Sequence, residues 1–238
     1  MRGVLRWLLL CALALLCLQL CFIGRIAVMT VVAPQSTAFQ RSEAWRIASD
    51  KGSLPWAQQW VDYGQISDNL KRAVLASEDD GFATHDGVDW DALEKAWAKN
   101  AKAEQRAERK GTSKPPKVVG GSTITQQLAK NLFLSGERTL LRKGQEFVLT
   151  LLLESLLSKQ RILEIYLNNV EWGEGVFGAE AAAQHYFRKP ASRLSPYEAS
   201  RLAVMLPRPK YFEKIPNSSY ISGRAGVIAS RLGDAELP

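Results

Sequence analysis

A long apolar run opens the chain and differs in character from everything after it. Residues 7–23 carry no charge and are rich in leucine, and a second apolar run at 26–33 follows Arg25. A helix over about residues 5–32 is long enough to cross a bilayer, with Arg25 reaching towards one face. We therefore interpret residues 1–33 as a cytoplasmic tip and a single transmembrane anchor.

The charges before the run predict its orientation. Arg2 and Arg6 precede it, so the positive-inside rule places the N-terminus in the cytoplasm and the rest of the chain outside. The alternative is a cleaved signal peptide, which needs a shorter apolar core followed by small residues. Residues 27–29 fit such a cleavage site poorly, and Leu20 stands before Cys21 where a lipobox needs a small residue. The pattern favours an uncleaved anchor.

Beyond a polar tether expected at 34–59, apolar positions recur at helical spacing. Leu70 and Val74 begin one such stripe, and residues 143–157 are apolar almost all round, which predicts a central buried helix. Strand-like alternation of any length does not appear in the sequence after the anchor, so residues 60–238 are expected to form one mostly α domain. Capping residues mark helix starts at Ser67, at Thr123 with Gln126, and at Ser195 with Glu198.

Composition narrows the chemistry. The net charge is +7, and removing Arg2, Arg6 and Arg25 leaves 28 basic against 24 acidic residues, or +4, which suits a domain near anionic lipid or an anionic substrate. Residues 99–117 hold seven of these cations. They are either a solvated excursion or a clamp on an anion. All cysteines lie in the anchor, so thiol chemistry is not expected elsewhere: Cys11, Cys17 and Cys21.

Several function classes lack their motifs. His85 and His185 are the only histidines and lie a hundred residues apart, which argues against a histidine metal site. Phosphate-loop, dinucleotide and nucleic-acid signatures are missing, so we expect no organic cofactor and no nucleic-acid partner. The sequence Ser-Asp-Asn at 67–69 occurs without the Ser-x-x-Lys and Lys-Thr-Gly elements of transpeptidases. With the chain ending at Pro238, we expect no transpeptidase domain.

Glu78 is the first candidate for chemistry. It continues the stripe of Leu70 and Val74, so its carboxylate should point towards the core side of a helix end. Partial burial would raise its pKa towards the range useful for proton transfer. Alternatively, Glu78, Asp79 and Asp80 form a solvated acidic cluster. The residues alone leave both interpretations open.

Two further groups of polar residues have helical spacing. Gln126, Gln127 and Lys130 should share one helix face, able to donate to phosphate or sugar oxygens. Arg142 and Lys143 precede Glu146 by four and three residues, a spacing that also occurs in ordinary surface ion pairs. This second set, however, lies at the start of the apolar helix at 143–157, where a charged side chain without a function is unfavourable.

Four motifs in order resemble those of a known enzyme family. They are E-D-x-x-F-x-x-H-x-G from Glu78, GGSTITQQLAKN at 120–131, R-K-x-x-E from Arg142, and ILEIYLN at 162–168. The residues of these motifs and their order along the chain resemble those of the peptidoglycan glycosyltransferases of glycosyltransferase family 51, which polymerise lipid II. The resemblance covers roughly residues 60–207 and implies a mostly α, lysozyme-like helical glycosyltransferase domain behind the anchor.

The resemblance also implies roles for individual residues. Glu78 would be the general base for the acceptor hydroxyl, and Glu146 a second essential carboxylate that orients cations or a divalent metal, Mg²⁺ or Mn²⁺. The donor diphosphate would be held by Lys130, Arg142 and Lys143. The substrate cleft would be lined by Ser122, Thr123, Gln126 and Gln127. The loop after Glu78 would be supported by Asp79, Phe82 and His85.

The expected partners follow from the same resemblance: lipid II, the growing glycan strand, the bacterial inner membrane, and other cell-wall synthesis and division proteins. The catalytic domain would lie in the periplasm. Two rival functions remain. A lytic, lysozyme-like muramidase would also carry a catalytic glutamate but would have no use for Lys130, Arg142 and Lys143 around a diphosphate. A non-catalytic, membrane-anchored scaffold would tolerate loss of the carboxylates.

Overall fold

A computed structural model describes residues 2–109, 120–134, 136–137 and 139–238. The described part is mainly helical, which confirms the predicted fold class. Its helices are α1 Arg2–Val28, α2 Ala38–Lys51, α3 Asp68–Glu78, α4 Trp90–Arg109, α5 Ile124–Phe133, α6 Leu140–Leu156, α7 Lys159–Asn169, α8 Ala179–Phe187, α9 Pro196–Met205, α10 Pro209–Phe212 and α11 Ser219–Ala229. Its strands are β1 Ala57–Gln58, β2 Glu171–Gly173 and β3 Val176–Phe177.

Helix α1 is long and apolar enough to cross a membrane over Gly3–Val28, and most of its apolar side chains are exposed. Its last turns nevertheless pack on the rest of the chain. Ile26 is fully buried, and the rings of Phe22 and Phe133 meet edge to face with centroids 5.3 Å apart. Gln19 and Gln145 exchange side-chain hydrogen bonds between α1 and α6. The membrane-spanning candidate therefore continues directly into the helical domain.

The segment at 34–59 is not the polar tether that the sequence suggested. Thr37 and Gln40 form a capping box that starts α2, and Ile47 is fully buried beneath this helix. Helix α2 packs against α5, and β1 pairs in parallel with β3. The segment is part of the folded domain, because a buried apolar side chain and two hydrogen-bonded elements fix it there.

The core lies between α3, α7, α9 and α11. Leu70 and Val74 are fully buried, so the predicted stripe on α3 faces inward. Trp172 is also fully buried, and its indole N–H donates to the carbonyl oxygen of Leu202 at 3.1 Å. A small sheet in the order β1-β3-β2 covers one end, with β2 antiparallel to β3. Helix α3 packs against α9 and α11 in this core, and Glu78 is the last residue of α3.

The predicted helix starts are confirmed. Ser67 caps α3, and the two capping boxes start α5 and α9, the latter with proline in its first turn. Helix α4 runs to Arg109, into the basic stretch at 99–117, and its residues from Lys99 onward are mostly exposed. The rest of the basic stretch at 99–117 lies outside the described residues from position 110.

Helix α6 differs from its prediction as a central buried helix. Leu149 and Leu153 are fully buried, but Phe147, Val148 and Leu151 are 37–44% exposed. The exposed apolar face belongs to the helix against which α1 packs. A helix that is apolar all round is stable within a protein core or within lipid, and the sequence pattern does not distinguish the two.

Candidate active site

Two adjoining cavities meet at Ser122, just before α5. The larger has a volume of about 580 Å³ and lies between α2, α5, α6 and the end of α9; the smaller, of about 310 Å³, lies beside Glu78. All the predicted substrate-binding residues except Thr123 line the larger cavity: Ser122, Gln126, Gln127, Lys130, Arg142 and Lys143, together with Glu146. Ser122, Thr123, Glu78 and Asp79 line the smaller one. The fold thus brings the predicted site residues into one cleft.

Glu78 lines the smaller cavity, and its neighbours hold its side chain there. The side-chain amide of Gln127 donates to Glu78 Oε2 at 3.1 Å. Burial raises the pKa of the Glu78 carboxyl above its usual value, the hydrogen bond from Gln127 opposes this shift, and the charge of Asp79 reinforces it. The direction agrees with the expectation from the α3 stripe. A carboxylate with a raised pKa at the wall of a cleft is suited to accept a proton.

Asp79, Phe82 and His85 lie together behind Glu78. Asp79 accepts the backbone N–H of Ile124 at 2.8 Å, and its other oxygen lies 2.8 Å from His85 Nε2. Because Gly87 N–H donates to His85 Nδ1, the His85 proton belongs on Nε2, facing the carboxylate. Phe82 is fully buried beneath this imidazole. The three side chains connect the loop after α3 to the start of α5.

Gly87 makes the second connection between this loop and α5. Its carbonyl oxygen accepts the hydroxyl of Thr123 at 2.6 Å, while Thr123 also caps α5. Gly87 has φ +85°, and a Cβ there would lie 2.7 Å from Glu154 Cγ. Both the backbone conformation and the close approach of α6 therefore require glycine. Thr123, the predicted cap residue, therefore both starts α5 and binds the loop at Gly87.

Glu146 sits at the bottom of the cluster of cations. It is only 3% exposed, accepts from Arg142 Nη1 at 2.7 Å and pairs with Lys143 through its other oxygen. Lys130 lies at the exposed mouth of the same cavity. The cavity walls displace water and lower the Lys130 pKa; Glu146 opposes that shift and the neighbouring cations add to it. Three cations around one carboxylate leave net positive charge for an anionic ligand.

These residues do not fit a divalent metal held by the protein alone. Both oxygens of Glu146, the predicted metal ligand, already accept from Arg142 and Lys143. Within the described ranges, moreover, His, Cys, Asp and Glu side chains form no group of three suited to a metal ion. The positive charge of this cavity comes from the side chains of Lys130, Arg142 and Lys143.

The structure adds residues that sequence reasoning missed. Tyr166 is buried on α7, within the fourth motif, and its hydroxyl donates to Gln127 Oε1 at 3.0 Å. Glu171, on β2, lines the larger cavity 3.4 Å from Lys210, and burial raises the pKa of its carboxyl to about 7. Tyr166 could have been found from its motif. Glu171 gave no signal, because it comes from a short strand that pairs only in the folded chain.

A helical domain whose cleft sets a partly buried carboxylate beside three cations fits the class of enzymes that transfer a sugar from a phosphate. The family model described as Transglycosylase matches residues 52–233, and the chain belongs to this family.

Curated relatives extend the similarity over the whole chain. The protein named biosynthetic peptidoglycan transglycosylase of Burkholderia thailandensis is 54% identical over 241 residues, covering 100% of this chain and 90% of its own. A relative of the same name from Burkholderia pseudomallei is 53% identical, with the same coverage. Another, from Paraburkholderia phytofirmans, is 50% identical over 99% of this chain and 95% of its own.

Proposed function

We propose that this chain, a peptidoglycan glycosyltransferase, polymerises lipid II into β-1,4-linked glycan strands and releases polyprenyl diphosphate. The observation that carries the proposal is the placement of Glu78 beside the cleft that holds Lys130, Arg142 and Lys143. Transfer of a sugar from a diphosphate requires a base near the attacking hydroxyl and positive charge near the leaving diphosphate. The two halves of the cleft offer these two requirements.

In the proposed reaction, Glu78 takes the proton from the 4-hydroxyl of the acceptor sugar. The hydroxyl oxygen attacks the anomeric carbon of the donor from the face opposite the diphosphate. The new carbon–oxygen bond forms as the bond to the diphosphate breaks, and the electron pair leaves with the diphosphate oxygen. Attack from the opposite face inverts the anomeric centre, so an α-linked donor gives a β-linked product.

The cations stabilise the charge that develops on the leaving group. Arg142 and Lys143 are fixed in place by Glu146, and the buried Nε of Arg142 has no hydrogen-bond partner among the described residues. That free donor suits a diphosphate oxygen, because a buried donor without a partner is unfavourable. Lys130 adds a cation from the opposite helix, α5.

The same features distinguish this function from hydrolysis of the glycan. A glycoside hydrolase must protonate its leaving oxygen with a carboxylic acid. Glu146, the carboxylate that lies among the three cations, accepts from two of them and is therefore poorly placed to donate a proton. A lytic enzyme would also have no use for three cations in the cleft. A diphosphate, by contrast, leaves without a proton when its charge is neutralised.

The membrane is the proposed location of the reaction. Helix α1 is a candidate span, and the exposed Phe147, Val148 and Leu151 of α6 lie on the helix that contacts it. Together these surfaces would hold the cleft against the bilayer that contains the polyprenyl tail of the substrate. We assign the N-terminus to the cytoplasm and the catalytic domain to the periplasmic face of the bacterial inner membrane, because Arg2 and Arg6 precede the apolar run of α1.

Incubation of the purified full-length protein with labelled lipid II in detergent tests this function. Long glycan strands and free polyprenyl diphosphate are expected. A second reaction with preformed peptidoglycan tests the lytic alternative, since a muramidase would release muropeptides from it. Failure to form polymer from lipid II, with folded protein, would overturn the proposal and favour the scaffold.

A further inference from the structure

A chain of two hydrogen bonds runs from the core to the proposed base. The hydroxyl of Tyr166 donates to Gln127 Oε1 at 3.0 Å, and Gln127 Nε2 donates to Glu78 Oε2 at 3.1 Å. The three residues come from α7, α5 and α3. Tyr166 is 1% exposed, and burial raises the pKa of its hydroxyl well above the usual value, so the hydroxyl remains a donor.

The direction of the Gln127 amide follows from its neighbours. An ionised carboxylate only accepts hydrogen bonds, so the nitrogen of the amide must face Glu78. The oxygen of the amide then faces Tyr166, whose hydroxyl can donate to it. The carbonyl oxygen of Ser122 lies 3.5 Å from the same Gln127 nitrogen and favours the same orientation. Without the tyrosine hydroxyl, one end of this amide would lose its partner.

We propose that Tyr166 is a positioning residue for the glycosyl transfer: through Gln127 it fixes the amide that stabilises ionised Glu78, and it leaves the other carboxylate oxygen free for the acceptor hydroxyl. This inference rests on the proposed function. Tyr166 touches no substrate in this scheme. It acts on the fraction of Glu78 that is ionised and on the direction in which its free oxygen points.

The inference predicts a change in the pH dependence of the rate. A hydrogen bond to the charged form of a carboxyl lowers its pKa, and Gln127 acts on Glu78 in this direction. In Tyr166→Phe the Gln127 amide is free to turn away, so the acid limb of the pH–rate profile should move to higher pH. On that limb, where Glu78 is mostly protonated in both proteins, the rate should fall by about tenfold for a pKa shift of about one unit. The deficit should shrink as the pH rises, because Glu78 becomes ionised in both proteins.

A second variant tests the hydrogen bond between Tyr166 and Gln127 by changing Gln127 instead of Tyr166. Gln127→Met keeps the length of the side chain but can neither donate to Glu78 nor accept from Tyr166. It should move the acid limb in the same direction, and adding Tyr166→Phe to it should move the limb no further. Because the side chain of Gln127 is on the surface of α5, this variant keeps the inference testable even if Tyr166→Phe does not fold.

Tyr186→Phe is the matched control. The Tyr186 hydroxyl donates to the carbonyl oxygen of Trp172 at 2.8 Å, so its removal also deletes a tyrosine–protein hydrogen bond, but one without contact to Glu78. It should leave the shape of the pH–rate profile unchanged.

The decisive measurement is the initial rate of lipid II polymerisation from pH 5 to pH 9 for the parent and the three single variants. A shifted acid limb in Tyr166→Phe and Gln127→Met, with a small change in KM, supports the inference. A uniform rate loss with an unshifted limb in both variants would overturn it and assign Tyr166 a structural role only. The profile of the parent distinguishes failure of the proposed function from failure of this inference. A parent without polymerase activity refutes the proposed function. An active parent with unshifted variants refutes this inference alone.

Discussion

Replacing Glu146 by glutamine removes the anion that organises the proposed diphosphate site. In the parent, this carboxylate is 3% exposed and binds Arg142 at 2.7 Å and Lys143 at its second oxygen. Glutamine has nearly the same volume and can still accept one hydrogen bond. It also presents an amide N–H to one of the two cations, which repels it. We expect Glu146→Gln to fold but to leave Arg142 and Lys143 without a fixed position.

The structure sets the size of the effect. Removing one partner of a buried ion pair costs about 3–5 kcal/mol. The Lys143 side chain is half exposed at 51%, so solvent screening makes its share small, and we count Arg142 alone. The remaining hydrogen bond to the glutamine oxygen offsets about 1–2 kcal/mol of the loss. The net loss is about 1–4 kcal/mol, and where it falls on the positioning of Arg142 in the transition state it lowers kcat/KM by roughly 5- to 900-fold.

The assay is the initial rate of polymerisation at several lipid II concentrations, with the melting temperature measured in parallel. Glu198→Gln is the matched control, because Glu198 pairs with Lys189 at 2.8 Å and caps α9 away from both cavities. The control should lose some stability and keep its rate. If Glu146→Gln polymerised within about threefold of the parent, Glu146 would be an ordinary ion-pair member and the reasoning about the cations would fail.

Two other predictions concern stability. A chain beginning at Gln35 lacks the buried Ile26 and Met29 contacts. It should melt about 6–24 °C lower than the full chain, from a loss of about 3–6 kcal/mol, yet still polymerise lipid II in detergent. An equal melting temperature, or folded but inactive protein, would contradict this. Glu171 keeps its proton in the fold to about pH 7 but ionises near 4.5 when unfolded, so its contribution to stability is lost as pH rises between these values. The parent melting temperature should therefore fall relative to Glu171→Gln between pH 4.5 and 7, and a constant difference would contradict the buried, protonated carboxyl.

Helix starts could be predicted from the sequence, because capping residues lie close in sequence to the backbone groups that they bind. The caps at Ser67, Thr123 and Ser195 start the helices that they predicted, because a side chain that accepts from a backbone N–H two or three residues later needs no tertiary contact. Helix α2 carried the same signal in Thr37 and Gln40. Hydrophobic periodicity does not predict this helix, because its surface is mostly polar and Ile47 is its one fully buried apolar side chain.

Hydrophobic periodicity along the sequence does not predict how the helices pack against one another. The apolar pattern of α6 predicted burial, but Phe147 and Leu151 face outward on the helix that contacts α1, and a hydrophobic pattern does not say whether lipid or protein covers it. Within the site, the motifs indicated which residues matter. The contacts between Glu78, Gln127 and Tyr166 join positions 49 and 39 residues apart, so only the folded chain shows them.

The rate of lipid II polymerisation by Glu78→Gln tests the central claim most directly. Glutamine keeps the size of the side chain and its hydrogen-bonding ability but cannot accept the proton of the acceptor hydroxyl. Glu236→Gln, at an exposed position near the end of the chain, is the control for loss of one negative charge. With equal melting temperatures and equal donor binding, we expect Glu78→Gln to be slower than both the parent and the control by about 10²-fold or more. A rate within a few-fold of the parent would show that Glu78 is not the base.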